Sequence, residues 1–427
     1  MSQLRAIHED VISEVLSGEG RRLVLQAPYG VGLGVMVTDL CRRAVASSPQ
    51  GRALIVVRTR LEAAQTVAMA EADATGAGVA ITGENFRYFL EDPEALGSVF
   101  VITANLVFRQ DVHAALRQVA WSVIVTRETP CDSGSRIGGA LLDLSSRFGW
   151  LFINPTRVGA GDVAPEHDVI DWYALSRDQL GLHPARRLLV WEYERDPAEL
   201  AALDRLEALV SDSDRRPSAE FMRRVLVSSA TSSPQAFESL LFRAVRRPDA
   251  DLERTDEASD LDETSRQWRP DPQAVEALIA QLEGLATDSK LAALIAQVRE
   301  FVETDQRVIV FCRYVATAEY LFEALSEEWP DRTAGRIVSS TGSSERQDAL
   351  DRWHAQGGVL IAGLGRAGDG DLGGADLAVA YDPVAEHQQF ERVWASVDRP
   401  GRTAPPTVAL LQPSDQSRVA AEEHLLR

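Results

Sequence analysis

Residues 27–34 read APYGVGLG, after a short apolar run, LVLQ (23–26), and before a segment of helical spacing. A strand, a glycine turn and a helix N-terminus make a ready anion site, because backbone N–H groups and the helix dipole converge on the turn. Phosphate chemistry there needs two further groups. A lysine must reach the β- and γ-phosphates, and a Ser/Thr hydroxyl must hold magnesium. Of the 44 basic side chains, one alone is a lysine, Lys290, and it lies far from the glycines. Any reaction that needs a lysine uses Lys290 or does without it. Other constellations are poor. The seven histidines, His8, His113, His167, His183, His354, His387 and His424, show no HExxH spacing, and there is no GxSxG elbow. Cys41, Cys131 and Cys312 follow no CxxC spacing, so neither structural zinc nor a disulfide framework is expected and a reducing cytoplasm fits.

The elements that must position the glycine turn are legible. From Arg22 to about Thr156, the apolar runs LVLQ (23–26), ALIVV (53–57), SVFVIT (98–103), SVIVT (122–126) and WLFI (150–153) alternate with segments whose apolar residues recur every three or four positions. Buried β-branched runs separated by amphipathic helices predict a parallel sheet covered on both faces. The pattern returns with a helix at SKLAALIAQVREFVE, then RVIVF (307–311), a helix at 314–327, RIVSS (336–340), a helix from Ser344 that Ser343 or Ser344 caps, GVLIAG (358–363), LAVAYD (377–382), a helix from Glu386 and TVALLQ (407–412). The fold class is therefore α/β, with two parallel-sheet lobes at 1–157 and 286–427. Residues 158–285 form a mainly helical linker region, with one strand-like stretch at RLLVWEY (187–193) and helices at about 197–211 and 218–243. Within it, 249–264 carries eight acids against Arg254 and reads as a solvated linker.

With 427 residues, 45% of them hydrophobic, the chain has enough apolar content for real cores. Its formal charge of −20 opposes broad electrostatic attraction to nucleic acid or anionic membrane, although a local arginine groove stays compatible with it. No signal peptide and no run long enough to span a membrane are evident, and a cytoplasmic protein is expected.

In this setting the glycine turn resembles motif I of helicase superfamily two, in either of two registers. Read as A-P-T-G-S-G-K-T, the lysine falls on Leu33 and the threonine on Gly34. Read as the V-G-L-G-K-T of Swi/Snf-type ATPases, the pair falls on Val35 and Met36. Both registers, anchored on Gly30, Gly32 and Gly34, lack the lysine and the magnesium hydroxyl. The stretch WSVIVTRET resembles motif II, with Thr126 and Arg127 at the places of the paired acids. Glu128 follows one position late and is expected to be a solvated loop residue, since a one-residue shift on a strand reverses the face. LFINPT keeps Thr156 alone of motif III.

The second half resembles the second RecA-like lobe of Swi/Snf-type proteins through DSKL (288–291), RVIVFCRYVATAEYL and STGSSERQDALDRW. SSPQAFESLLFR resembles a helix of the bacterial branch. Lys290 falls where many of these proteins carry a lysine, with a local structural role. RAGDGDLGGADLAVAYD is similar to motif V but inserts Asp369 and Asp371. EHQQFERVWASVDRPGR aligns with motif VI. There the first arginine finger becomes Ser396, while Asp398, Arg399 and Gly401 stay. Arg399 is expected to pair with Asp398 or across the lobe interface. LRAIHEDVISEVL puts His8 at or near the place of the family's adenine-reading glutamine.

The resemblance implies two RecA-like lobes whose nucleotide chemistry is deleted motif by motif. One arginine finger alone is worth roughly 10³–10⁵ in rate, so losses in motifs I, II and VI together imply no ATPase and no motor. No cofactor and no metal are expected. The first reading is a structural, partner-docking subunit of a bacterial, DNA-associated complex, with phage defence one setting in which this branch occurs. The second is a DNA- or RNA-binding module whose contacts are Arg58 and Arg60, with Arg313 and Arg346. The third is a sensor that holds ATP weakly through the N–H groups of Gly30 to Gly34 without turnover.

Overall fold

The computed structural model describes residues 2–72, 78–83, 85–91, 97–129, 135–154, 170–211, 217–246, 272–284, 288–367, 372–384 and 387–414. The acidic stretch 249–264, Cys131, His167, His424, Pro155, Thr156, Asp369 and Asp371 lie outside them. The chain divides into two compact units, Met1–Leu182 and His183–Arg427.

In the first unit the elements are α1 (Ser2–Ser17), β1 (Arg21–Gln26), α2 (Leu33–Ala46), β2 (Ala53–Val57), α3 (Arg60–Ala72), β3 (Gly78–Ile81), α4 (Phe86–Glu91), β4 (Val99–Thr103), α5 (Ala104–Val107), α6 (Gln110–Leu116), β5 (Val123–Arg127), α7 (Arg136–Leu142), β6 (Gly149–Ile153) and β7 (Ile170–Ala174). The strands form one all-parallel sheet in the order β3-β4-β2-β5-β6-β1-β7. Alternate residues of each strand enter opposite cores. Leu25, Ile55, Val101, Val125 and Ile153 pack beneath α1, α2 and α3, with Val11, Met36 and Ala63. Leu54, Val56, Phe100, Ile102 and Ile124 face α4 to α7, with Phe89, Val112 and Leu141. That two-sided burial is why these strands read as unbroken apolar runs.

The second unit begins with β8 (Arg187–Tyr193), α8 (Pro197–Ser211), α9 (Pro217–Ser232), α10 (Pro234–Arg246), α11 (Pro272–Glu283), α12 (Ser289–Glu303) and β9 (Arg307–Cys312). It continues with α13 (Val315–Glu328), β10 (Thr333–Ile337), α14 (Ser343–Gln356), β11 (Gly358–Gly363), β12 (Leu377–Ala380), α15 (His387–Val397) and β13 (Thr407–Pro413). Its sheet is again all parallel, in the order β10-β11-β9-β12-β13-β8. α12 and α13 cover one face through Leu294, Val298 and Leu321. α14 and α15 cover the other through Trp353, Val393 and Trp394.

Two α/β parallel-sheet lobes are thus present, but the chain is apportioned differently from the sequence reading. The segment 158–285 does not stand apart as a linker. It supplies an edge strand to each sheet: β7 pairs with β1 in the first, and β8 with β13 in the second. The helices α8 to α11 pack around Leu206, Leu226, Phe237 and Leu278 inside the second unit. The expected helix over 218–243 is two helices. Ser233 caps the second, accepting a bond from the Ala236 amide at 3.1 Å, and Pro234 takes its first position. In α14 the cap is Gly342 rather than a serine, and the helix already includes Ser343.

Candidate functional site

In a parallel sheet all strands end at the same edge, and ligands bind beyond those C-terminal ends. In the first unit the neighbours β2, β5, β6 and β1 therefore bring Arg58, Thr126 to Glu128, Asn154 and the glycine loop to one edge.

Gly30 and Gly32 have φ of 81° and 74°, a region that favours glycine, and Gly32 is the N-cap of α2. The turn is held from both sides. Asn154, itself at φ 45°, clamps Ala27 at the loop's start. The Ala27 amide donates to its Oδ1 at 2.9 Å, and its Nδ2 donates to the Ala27 carbonyl at 2.6 Å. His8 on α1 donates from Nε2 to the Val31 carbonyl at 3.1 Å. A carbonyl only accepts, so this bond places the proton of the neutral ring on Nε2. Burial lowers the His8 pKa below its ordinary value, against the raising effect of the Val31 bond.

The side chains beyond the loop do not reach for a phosphate. Leu33, the first residue of α2, is 5% exposed and belongs to the core under α1. In the other register Val35 is exposed at 59% and aliphatic, and Met36 is buried in the same core. Gly34 has no side chain, and its carbonyl accepts from Thr38 Oγ1 at 2.9 Å.

Thr126 is fully buried at the end of β5, and its hydroxyl has no hydrogen-bond partner among the described residues. Arg127 is half-buried. Glu128 is not the solvated loop residue that strand parity predicts. Its side chain is 3% exposed and lies 3.5 Å from Arg58 Nη1. The reason is local: Glu128 has left the strand at φ 55°, with its amide bonded to the Ile153 carbonyl, so strand alternation no longer applies to it. Arg58, one of the nucleic-acid candidates, therefore faces a carboxylate. Arg60 opens α3 and is exposed.

In the second unit, Ser396 is buried and returns its hydroxyl to the Val393 carbonyl at 2.7 Å, within its own helix. Asp398 is 2% exposed and accepts from Arg186 Nε at 2.8 Å, while both terminal nitrogens of Arg186 bond Glu391. The sequence reading pairs Arg399 with Asp398 or across the lobe interface; the structure brings Arg186, the residue before β8, onto the Asp398 carboxylate. Arg399 lies over Gly373, where a side chain would collide with its guanidinium. Arg346 is half-buried near the start of α14. Arg313 donates to the Pro383 carbonyl at 2.8 Å and to Ser228 Oγ at 3.2 Å, so its guanidinium is held by its own unit.

Sequence reasoning missed a polar cluster around the single lysine. Lys290 Nζ donates to Asp382 Oδ1 and to the Thr231 carbonyl, each at 2.9 Å, and sits 4.0 Å over the Tyr381 ring. Asp382 Oδ2 accepts from the Ser232 hydroxyl and the Arg313 amide. Ser232 and Ser233 both bond Thr317 Oγ1. Each hydroxyl has one proton, which fixes the direction: Ser233 donates to Thr317, Thr317 to Ser232, and Ser232 to the carboxylate. The cluster fastens the junction of α9 and α10 to α12, α13 and the end of β12. Burial pushes the Tyr381 phenol well up, with Asp288 and Asp382 adding to the shift. A cavity of about 300 Å³ adjoins it, lined by Arg195, Gln235, Phe237, Asp288 and Tyr320 among others. Two of its three lining carboxylates are engaged: Glu199 accepts the Asp196 and Ser289 amides, and Asp288 accepts the Leu291 amide and the Tyr320 hydroxyl.

Among the described residues no three His, Cys, Asp or Glu side chains gather to hold a metal ion, and no helix is long and apolar enough to cross a membrane.

No family model and no curated protein matches the chain. Solved structures do. The helicase domain of Pyrococcus furiosus Hef is similar over 97% of this chain and 96% of its own, with a TM-score of 0.51 at 16% identity. The S. cerevisiae Dbp5 variant bound to RNA and ADP BeF3 is similar over 98% of this chain and 87% of its own, with a TM-score of 0.50 at 13% identity. The fold is that of helicase domains with two RecA-like lobes.

Proposed function

We propose that this chain keeps the helicase fold without its nucleotide chemistry and serves as a structural, partner-docking subunit of a bacterial, DNA-associated complex, of the kind found in phage defence. The observation that carries the reading is the fate of the position after Gly32. A working loop of this kind needs a lysine at the helix start that reaches the phosphates, whereas Leu33, which holds that place, is folded into the core. Thr126 in place of a carboxylate and Ser396 bonded back into its own helix support the same reading. A phosphoryl-transfer site acts almost wholly through such charges, so a loop without them leaves the reaction near its uncatalysed rate.

The test has two arms. Pure protein with ATP and magnesium, with and without DNA, is expected to release phosphate at background. Turnover that disappears on altering Gly32 or Arg399 refutes the silent site. Purification from the native host is expected to bring partner proteins; a chain that always runs alone refutes the subunit.

The helicase fold also favours a second reading, nucleic-acid binding. Arg60, exposed at the start of α3, is its better candidate, because Arg58 faces Glu128 and Arg313 is held by Pro383 and Ser228. Filter binding across salt concentrations tests it: affinity absent at low salt removes the idea. The weak ATP sensor predicts measurable heat on titrating ATP and magnesium, and a flat titration disposes of it.

A further inference from the structure

Strand β8 closes one side of the second sheet, and it is an unusual edge. Its burial alternates. Leu189, Trp191 and Tyr193 pack against the core beneath α12, whereas Leu188 and Val190 are 48% and 50% exposed. They account for two of the five large apolar side chains exposed among the described residues.

The backbone is equally open. Arg187 donates its amide to the Pro406 carbonyl, and the Tyr193 carbonyl accepts from Ser414, so the odd-numbered residues face β13. Leu188, Val190 and Glu192 therefore direct N–H and C=O outward, where the described residues offer no partner. Edge strands are normally blunted by charge, proline or a covering group. The far edge of the first sheet shows such a device, since Asn85 Nδ2 donates to the Ala80 carbonyl of β3. β8 has its charges only at its ends: Arg186 and Arg187 before the apolar pair, Glu192 and Glu194 after it.

We propose that β8 pairs antiparallel with β8 of a second copy of this chain, about a two-fold axis through Leu189. Symmetry and side-chain parity select this register. A continuous sheet requires opposed residues to share a face, so the pairing positions must sum to an even number. Centring on Leu189 sets Leu188 against Val190 of the other copy, and Val190 against Leu188, so each exposed apolar side chain covers the other. Both lie at outward-facing positions, and each pair exchanges two N–H···O bonds. The same register places Arg187 beside Trp191 of the mate, and Arg186, which already bonds Asp398 and Glu391, opposite Glu192. An antiparallel mate thus keeps Arg187 of the two strands apart, whereas a parallel copy in register sets them side by side. The interface is isologous, so it closes at two and leaves neither β8 edge open. This inference is independent of the proposed loss of nucleotide chemistry.

The experiment uses the full chain. Light scattering after size exclusion at about 50 μM is expected to give a dimer, since edge pairing of this size suits micromolar association. Val190→Lys is expected to give a monomer with an unchanged melting temperature, because the residue is exposed and the amide it carries points outward. Val190→Pro is expected to do the same, as it removes an outward N–H and no bond to β13. Under mild oxidation Leu189→Cys is expected to cross-link with itself across the axis, where the Cα atoms approach within about 4.5 Å. Val190→Cys, which faces Leu188, is expected to stay uncross-linked. A wild-type monomer at that concentration overturns the proposal. So does a dimer that survives Val190→Lys, or a cross-link that forms in the Val190→Cys variant and not in Leu189→Cys. Capture of an unrelated extended peptide by β8 in a monomeric chain overturns it as well.

Discussion

Replacing Lys290 by methionine tests whether the lone lysine is a fastener. Methionine nearly keeps the volume and removes the charge. Lys290 and Asp382 have side chains 7% and 3% exposed, so the pair is buried. Removing one member of a buried pair costs about 3–5 kcal/mol, because the other is left charged and desolvated. The Thr231 carbonyl loses its donor as well, and an unsatisfied buried group costs about 1–3 kcal/mol. Asp382 keeps two donors, Ser232 and Arg313, which holds the total near the lower end. The expected loss is about 3 kcal/mol, or about a hundredfold in the opening equilibrium of the second unit. Asp382→Leu should cost more, since it strands an ammonium, a hydroxyl and an amide together. The double variant should recover part of the sum, giving a coupling of about 2 kcal/mol or more. Two units need not unfold together, so a single melting curve is a poor readout. Hydrogen exchange followed on peptides from α12 and β9 reads the opening of this unit directly. Protection within threefold of wild type for Lys290→Met refutes the reasoning, and so does strict additivity in the double variant.

Asn154→Ala removes both bonds to Ala27 and leaves alanine at φ 45°; a loss of about 2–4 kcal/mol is expected, with faster amide exchange across residues 27–34. Asn154→Asp keeps the acceptor for the Ala27 amide and should lie between the two. Leu33→Lys puts an amine into the first core and should lower the melting temperature, while phosphate release stays at background even when combined with Thr126→Asp. The His8 imidazole is held neutral by burial, so its folded pKa lies below the unfolded value of about 6.5. Its contribution is therefore fully present above about pH 6.5 and is lost as pH falls below it, because the unfolded chain takes the proton first. His8→Gln should flatten that acid-side decline in denaturation measured between about pH 7.5 and pH 5.

Where both faces of a strand are covered, the sequence announces it. The runs at β1, β2, β4, β5, β6, β9, β11, β12 and β13 are readable as strands for that reason, and β8 through its aromatic and branched residues. β3 has four residues, GVAI, too few for a pattern. β7 reads IDWYA in a stretch otherwise polar, and becomes a strand because β1 offers it an open edge. The absence of a lysine from the glycine loop is equally legible, since it is a matter of residue type. What replaces it is not. Glu128 is buried through a single positive φ, which residue type does not encode. Asn154 and Ala27 are separated by 127 positions, and Lys290 and Asp382 by 92, distances over which neither periodicity nor spacing speaks.

Primary amines are the commonest handle for acylating enzymes and labelling reagents alike. Here the sole side-chain amine is closed off beneath Tyr381, with a carboxylate, a carbonyl and an aromatic ring around its nitrogen. The folded chain therefore presents arginines across its surface and no lysine to conjugate, acetylate or cross-link. Reaction at Lys290 becomes a clock: its rate reports how often the second unit opens, with no background from other side chains.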